Sequence, residues 1–195
     1  MPDSTTEQVD EQHVRLEELV HETARGAQEF SSAIRDMATG SAPDAVIPLL
    51  LLAVAQLSVT GARLGAIQDV VPAERFEADS GPETDLDALR VSLANVFQGI
   101  DDFTDLVDPV TSMEISRGAL SEDLTGIVGA LEHGLAHYER GRLTEAMWWW
   151  QFSYLSEWGV RASAVMRVLQ TILGHLRMDV DDETVADAEF DALHP

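Results

Sequence analysis

The chain has 195 residues, 45% of them apolar, and its 35 acidic and 12 basic residues give a net charge of −23. This length suits one domain with a sizeable core. All basic residues are arginines and they form no basic stripe, so direct binding to nucleic acid or to anionic lipid is not expected. The chain has no cysteine, which excludes disulfides, thiolate metal sites and a cysteine nucleophile.

Neither the N-terminus nor the longest apolar run predicts export or membrane insertion. The N-terminal residues are polar and acidic and lack the apolar core of a secretory signal. The longest apolar run, from Ala45 to Val59, is shorter than a membrane span and contains Pro48 and Gln56. We therefore expect a cytoplasmic protein without a membrane partner.

Apolar residues recur close to every 3.6 positions, and no run alternates convincingly as a strand would. The pattern predicts an all-α fold, a single-domain bundle of about five main helices. The second helix is apolar nearly all round, which is typical of a central helix. The predicted helices, in chain order, are residues 7–38, 43–67, 85–106, 121–141 and 144–178, and the main loop is residues 66–84.

Polar residues and one glycine mark several of the helix ends. Thr84 or Asp85 is expected to cap the third helix, and Ser121 the fourth. Gly141 suits the end of the fourth helix. We expect one helical domain over residues 1–178, followed by an acidic, flexible tail at 179–195.

The fourth and fifth helices are joined by a short turn, and LEHGLAHYERGRLTEAMWWWQFSYLS resembles a tetratricopeptide-repeat hairpin. Small residues at the helix crossing, a glycine at the turn and a large aromatic in the second helix fall at that family's spacings. The matching residues are Gly134, Gly141, Leu143, Ala146, Trp150 and Ser153. No second copy follows at the repeat's period, so one repeat-like hairpin within a bundle is predicted, and not an array.

All four tryptophans lie in the predicted fifth helix. At about 100° per residue, Trp150 and Trp158 fall on the core face and Trp148 at its edge. Three consecutive residues span about 200° at that helical step, so Trp149 falls on the other side. Either helix one or the 66–84 loop covers Trp149, or it anchors a partner. It shares its side of the helix with Glu145, Ser153, Ser156, Ser163 and Arg167.

Two histidines of the fourth helix, His133 and His137, are spaced to lie on one side, opposite the core stripe. Histidines four apart on a helix can share a divalent metal. A third ligand would have to be Glu132, Glu145 or a more distant carboxylate. No zinc-protease signature is present, so surface histidines bonded to loop carbonyls are the favoured interpretation, and no cofactor is expected.

Two acidic patterns resemble those of known enzymes. DDFTD, residues 101–105, matches the aspartate-rich motif of isoprenoid synthases, but the chain is short for such an enzyme and lacks clustered arginines nearby. Glu74 and Glu77 have the ExxE spacing of helical nucleotide pyrophosphohydrolases, but they lie in the loop without an evident ExxD partner. A solvated acidic surface is the favoured interpretation, with the loop residues able to line a cleft.

Two longer stretches resemble one family. VIPLLLLAVAQLSVTGARLGAIQDVVPAERFEADSGP and EHGLAHYERGRLTEAMWWWQFSYLSEWGVRASAVMRVLQ are similar to an actinobacterial family of uncharacterised proteins, domain of unknown function 5063. The similarity covers about residues 45–175. It implies a helical cytoplasmic protein without assigned catalytic residues. Members encoded near a recombination mediator would imply a genome-maintenance role, reached through a protein partner.

Two functional hypotheses follow, and the first is favoured. It is a non-enzymatic protein-interaction module that binds a protein partner around Trp149. Its candidate binding residues are Trp149, Ser153, Ser156, Arg167, His133 and His137. The alternative is a metal-dependent or small-molecule-binding enzyme that uses a cleft between helix four and the 66–84 loop, with His133 and His137 as metal candidates.

Overall fold

In this computed structural model the described residues are 4–72, 74, 77–82, 84–108 and 110–178, with side chains described from residue 16 onward. The predicted tail at 179–195 lies outside this part of the chain, so its flexibility stays a prediction. The elements are α1 (Ser4–Ala38), α2 (Val46–Ala66), α3 (Asp87–Val96), β1 (Asp102–Leu106), β2 (Ile115–Ala119), α4 (Leu120–Glu139), α5 (Leu143–Ser153) and α6 (Gly159–Met178).

The expected helical bundle is confirmed, and its core lies between α1, α2, α4 and the α5–α6 helix. Each helix contributes an apolar stripe, and removing that area from water stabilises the fold. On α1 the centre of the apolar stripe is buried, including Phe30 and Ile34, whereas Leu16 is exposed. The apolar stripe of α4 is buried in full: Leu120, Leu124, Ile127, Leu131 and Leu135.

The second helix is less enclosed than its composition predicts. Leu50 and Val54 face the core, whereas Leu49 and Leu52 are exposed. The expectation of a central helix is wrong, because α2 packs chiefly against α1 and α6 and leaves its other side to solvent. The 24-residue stretch Pro43–Ala66 is long and apolar enough to cross a membrane, and 33% of its most apolar window is buried. Core helices of globular proteins meet the same criterion of length and composition.

The third helix ends at Val96 and not near residue 106 as predicted. The chain then turns at Gly99, whose φ of +89° favours glycine, and β1 and β2 form an antiparallel pair. Asp102 pairs with Ala119 at one end of the strand pair and Leu106 with Ile115 at the other. Exposed and half-buried residues alternate along the five residues of β1. Five residues are too few for this alternation to be distinguished from helical periodicity in the sequence.

In the DDFTD segment, residues 102–105 therefore belong to β1, and Asp101, which precedes the strand, caps α4. The Asp101 carboxylate accepts hydrogen bonds from the Ser121 N–H at 2.8 Å and the Ser121 hydroxyl at 2.7 Å. Its carbonyl oxygen accepts from the Leu120 N–H at 2.9 Å. Ser121 was the predicted cap, but Asp101 satisfies these donors from outside the helix, near the positive end of α4. The aspartates thus do not line one edge of a helix, as a diphosphate site would require.

The predicted fifth helix is continuous but contains a π-helical turn at Tyr154–Trp158, between α5 and α6. The Tyr154 ring lies directly against Gly61 of α2, where any Cβ would overlap it. Trp158 is buried beside it, with the two ring centroids 4.8 Å apart. The glycine thus allows α2 and the π turn to approach closely.

Candidate functional site

A cleft of about 410 Å³ opens between α4, loop residues 80, 82, 84 and 86, and the part of the helix that contains Trp149 and Glu157. It lies between the fourth helix and the end of the long loop, close to where the sequence suggests a cleft. Small residues on α4 form its floor. A side chain at Gly129 would contact Leu86, and one at Gly126 would contact the guanidinium of Arg161. The two glycines therefore keep the space open.

Trp149 is half-buried at the wall of this cleft. Its indole N–H donates to the Ala130 carbonyl at 2.8 Å. Its ring lies against the His133 imidazole, with centroids 4.0 Å apart and planes tilted by 33°. The residue is thus held by α4, whereas the buried alternative expected helix one or the 66–84 loop to cover it. Loop residues 80 and 82 line the same cleft.

Three aromatic side chains at the surface of α5, Trp148, Trp149 and Phe152, form what we call the aromatic patch. The rings of Trp148 and Phe152 stack with centroids 5.6 Å apart and planes at 12°. The Trp149 centroid lies 6.2 Å from each of the other two. Phe152 is 50% exposed. Phe152 was not predicted to belong to a binding surface, although residues three and four apart on a helix are neighbours.

Trp150 and Trp158 are buried in the core, as predicted. The Trp150 ring packs against Gly134 of α4, where a Cβ would overlap the indole nitrogen. The indole N–H of Trp150 donates to the Leu131 carbonyl at 3.1 Å, and that of Trp158 to the Trp150 carbonyl at 3.3 Å. The helical hairpin therefore depends on the absence of a side chain at Gly134.

The other residues predicted beside Trp149 do not form one strip around it. The hydroxyls of Ser153, which is buried, and of Ser156 both donate to carbonyls of their own helix. Arg167 pairs with Asp105 of β1 at 2.7 Å. It lies roughly 27 Å along the helix from Trp149, at 1.5 Å per residue. A helical projection assigns residues to a side of the helix but ignores their separation along it.

His133 and His137 meet a carboxylate from the loop, and we call these three residues the histidine–carboxylate cluster. The Glu77 Oε1 lies 2.5 Å from the His133 Nε2 and 2.9 Å from the His137 Nε2. His137 is fully buried. The prediction that both histidines bond to loop carbonyls at the helix surface is wrong, because Glu77 reaches this side of α4. The predicted ligand Glu132 instead pairs with Arg35 at 2.6 Å.

The electrostatics of the cluster assign its protons. Burial acts to raise the pKa of the Glu77 carboxyl, but hydrogen bonds and charge from the two histidines outweigh it and lower the pKa below its ordinary value. An ionised carboxylate only accepts hydrogen bonds, so each imidazole donates from Nε2. The Nδ1 of His137 is buried, and none of the described residues offers it a hydrogen bond. In the neutral ring this atom is an acceptor.

Two further side chains hold the loop in place. Arg142 donates to the Asp79 carbonyl at 2.7 Å. Gln151 is buried, and its Oε1 accepts from the Val70 N–H at 2.8 Å. Its Nε2 donates to the Leu64 carbonyl at 3.0 Å. No structural role was predicted for Gln151 from the sequence. A single amide among the aromatic residues of α5 could have indicated one, because a buried amide needs hydrogen-bond partners.

An ion-pair network lies at another part of the cleft. The Arg161 guanidinium, beside Gly126, pairs with Asp123 at 2.8 Å and with Glu157 at 3.2 Å. Burial raises the pKa of the Asp123 carboxyl, and the attraction of Arg161 offsets this only in part. Glu157 and Glu132 also line the cleft. Carboxylates that are paired with arginines therefore line the cleft together with Trp149.

These features define an all-α bundle with a cleft between a helical hairpin and a long loop. The chain belongs to the family Domain of unknown function (DUF5063), whose model matches residues 14–175. The family resemblance expected from the two longer sequence stretches is therefore confirmed.

The fold also occurs in a solved structure. The crystal structure of protein BF1032 from Bacteroides fragilis is similar with a TM-score of 0.64, covering 84% of this chain and 95% of that chain. The two sequences are 16% identical, so the similarity shows the fold alone. No match was found among curated proteins.

Proposed function

We propose that this protein is a non-enzymatic binding module that docks a protein segment on the aromatic patch and in the adjoining cleft. The observation that supports it is the patch itself, in which three rings contact one another at the surface and Phe152 is 50% exposed. Tryptophan in particular is enriched among the residues that dominate binding energy at protein interfaces.

The aromatic patch is held in place without a partner. Trp149 is fixed by its hydrogen bond to Ala130 and by its contact with His133. Trp148 and Phe152 are stacked on each other. Side chains that are already ordered lose less conformational entropy on binding, so more of the contact energy appears as affinity.

Charge defines the kind of segment that would dock. The whole chain carries a net charge of −23. The cleft carboxylates Glu132 and Glu157 each pair with an arginine, so the excess of acidic residues over the whole chain sets the field. Such a field attracts basic partners and repels acidic ones, including nucleic acid. The preferred segment therefore has an apolar or aromatic anchor next to arginine or lysine. Any link to genome maintenance would run through such a protein segment.

Peptide selection tests this proposal. A random peptide library is selected on the wild-type protein, and the enriched peptides are measured on Phe152→Ala. We expect peptides that combine an aromatic or large apolar residue with basic residues. Their affinity should fall at least about tenfold on Phe152→Ala, because truncating a hot-spot residue costs about 2 kcal/mol or more.

Leu52→Ala is the matched control, because Leu52 is an equally exposed apolar residue on α2. It should leave the affinity unchanged. Peptides that bind wild type and Phe152→Ala equally would contradict the proposal, and so would a selected set without basic residues.

An enzyme that uses the same cleft is the second candidate. The observation that favours it is the position of His133, which lines the cleft and also belongs to a group of three side chains able to hold a metal ion. A metal-dependent reaction would first require that metal to bind.

A further inference from the structure

We infer that Glu77, His133 and His137 form a binding site for a divalent transition-metal ion, Zn²⁺ by its ligand chemistry, which ties the loop to α4 beside the aromatic patch. The ligand atoms of the three side chains lie within 4.8 Å of one another. This site goes beyond the docking surface proposed above, because it assigns a ligand and a role to a separate set of contacts.

The donor set suits zinc. Imidazole nitrogens and carboxylate oxygens are among the ligands that Zn²⁺ takes in proteins, and three protein ligands leave one position for water. His133 and His137 are four residues apart on α4, so their rings stand on the same side of the helix. The Glu77 side chain is 32% exposed, so an ion could enter from solvent.

The distances fit a cluster that opens slightly around an ion. The Glu77 Oε1 lies 2.5 Å and 2.9 Å from the two Nε2 atoms. Two ligands that are each about 2.0–2.1 Å from a tetrahedral ion lie about 3.3 Å apart. Each of these two gaps would have to widen by less than about 1 Å, and the ligand atoms of the two histidines, which lie within 4.8 Å of each other, would have to adopt the same separation. Glu77 lies in a loop, so its carboxylate can withdraw this far while both histidines stay on α4.

Each imidazole would bind the ion through Nε2, the nitrogen that donates to Glu77 in the hydrogen-bonded cluster, so this atom must give up its proton. In the hydrogen-bonded cluster Nε2 carries the proton, whereas a ring that binds a metal through Nε2 carries it on Nδ1. The bound ion would thus be held by two neutral rings and one carboxylate, and any further proton on the rings would leave to solvent. On His137 the new N–H would be buried without a partner among the residues described. Such a donor costs less free energy than zinc coordination contributes.

A bound ion would set the position of the cleft wall. Glu77 precedes Ser80 and Pro82, which line the cleft opposite α4. The loop is also held by Arg142 through Asp79, so the ion would tighten an existing arrangement. The ligand His133 in turn contacts Trp149, which connects the metal site to the docking surface.

Metal titration of the untagged, chelator-treated full chain tests the inference. Calorimetry should show one high-affinity Zn²⁺ per wild-type chain, and Co²⁺ should give the intense visible absorption of a four-coordinate site. Glu77→Gln keeps the side-chain shape but removes the anionic ligand, and His133→Gln removes an imidazole. Affinity should fall by at least about tenfold in each, since losing even a residue that only supports a ligand costs 10- to 100-fold.

His21→Gln is the matched control, because His21 bonds to the Tyr138 hydroxyl outside the cluster. It should bind Zn²⁺ like the wild type. The inference is overturned if the wild type shows no stoichiometric site, or if Glu77→Gln and His133→Gln bind as tightly as His21→Gln. Should His133→Gln unfold, Glu77→Gln alone decides. Peptide binding and metal binding are separate readouts, so the two proposals can fail independently.

Discussion

The two sides of α5 use neighbouring tryptophans differently. Trp150 and Trp149 both donate their indole N–H to carbonyls of α4, of Leu131 and Ala130 respectively. Trp150 is completely buried at the helix crossing, whereas Trp149 is half-buried beside the cleft. The hydrogen bonds are alike, so burial makes the difference. The core side supplies stability, and the cleft side presents ordered aromatic surface.

The largest loss of stability should come from removing the Trp150 side chain from the core side of α5. We expect Trp150→Ala to lower the free energy of unfolding by about 3–5 kcal/mol, the range for a large aromatic removed from a core. Phe152→Ala, two residues away but half-exposed, should change it by less than about 1 kcal/mol. Urea unfolding followed by circular dichroism measures both. Similar losses in the two variants would remove the distinction between the two sides.

A smaller loss should follow from crowding the same crossing. Gly134→Ala puts a methyl group into the Trp150 indole, and overpacking of this kind costs about 1–3 kcal/mol. Gly174→Ala is the control, because nothing lies near a Cβ at that position of α6. It should stabilise by up to about 1 kcal/mol through helix propensity. Stabilisation by both changes would show that α4 and α5 are not in such close contact.

The smallest loss of stability should follow from a substitution on the cleft side of α5. Trp149→Phe keeps an aromatic ring but removes the N–H that donates to Ala130, which should cost about 0.5–1.5 kcal/mol in the free energy of unfolding. Trp148→Phe is the comparison, since the described residues offer no hydrogen bond to that indole. It should cost less. If Trp148→Phe lowers the free energy of unfolding more than Trp149→Phe does, the hydrogen bond does not hold Trp149 in place.

Much of the helical framework could be predicted from residue spacing. The stripe from Leu120 to Leu135 and the buried pair Trp150 and Trp158 follow from the helical period alone. Gly141 follows the end of α4 by two residues and has a φ of +73°, as expected for a glycine that terminates a helix. The strand pair after α3 was missed, because five-residue strands leave little periodicity and the aspartates around Phe103 resembled a helix edge.

The candidate site was predicted in its parts but not in its arrangement. His133, His137 and Trp149 were singled out, and Glu77 was recognised as a loop residue able to line a cleft. The loop brings Glu77 to two histidines that are 56 and 60 positions further along the chain. Periodicity reports on neighbours within one helix, so it has no information on which loop residue reaches that helix.

The sequence by itself determined the helical class, most of the inner faces, and the strong negative charge that disfavours nucleic acid. The tertiary structure decided what covers the polar sides of those helices. It buried His137 against Glu77, replaced Ser121 by Asp101 as the cap of α4, and placed the ring of Trp149 against α4 with an open cleft beside it. These contacts join segments far apart in the chain, and their energy depends on a geometry that exists only after the bundle has folded.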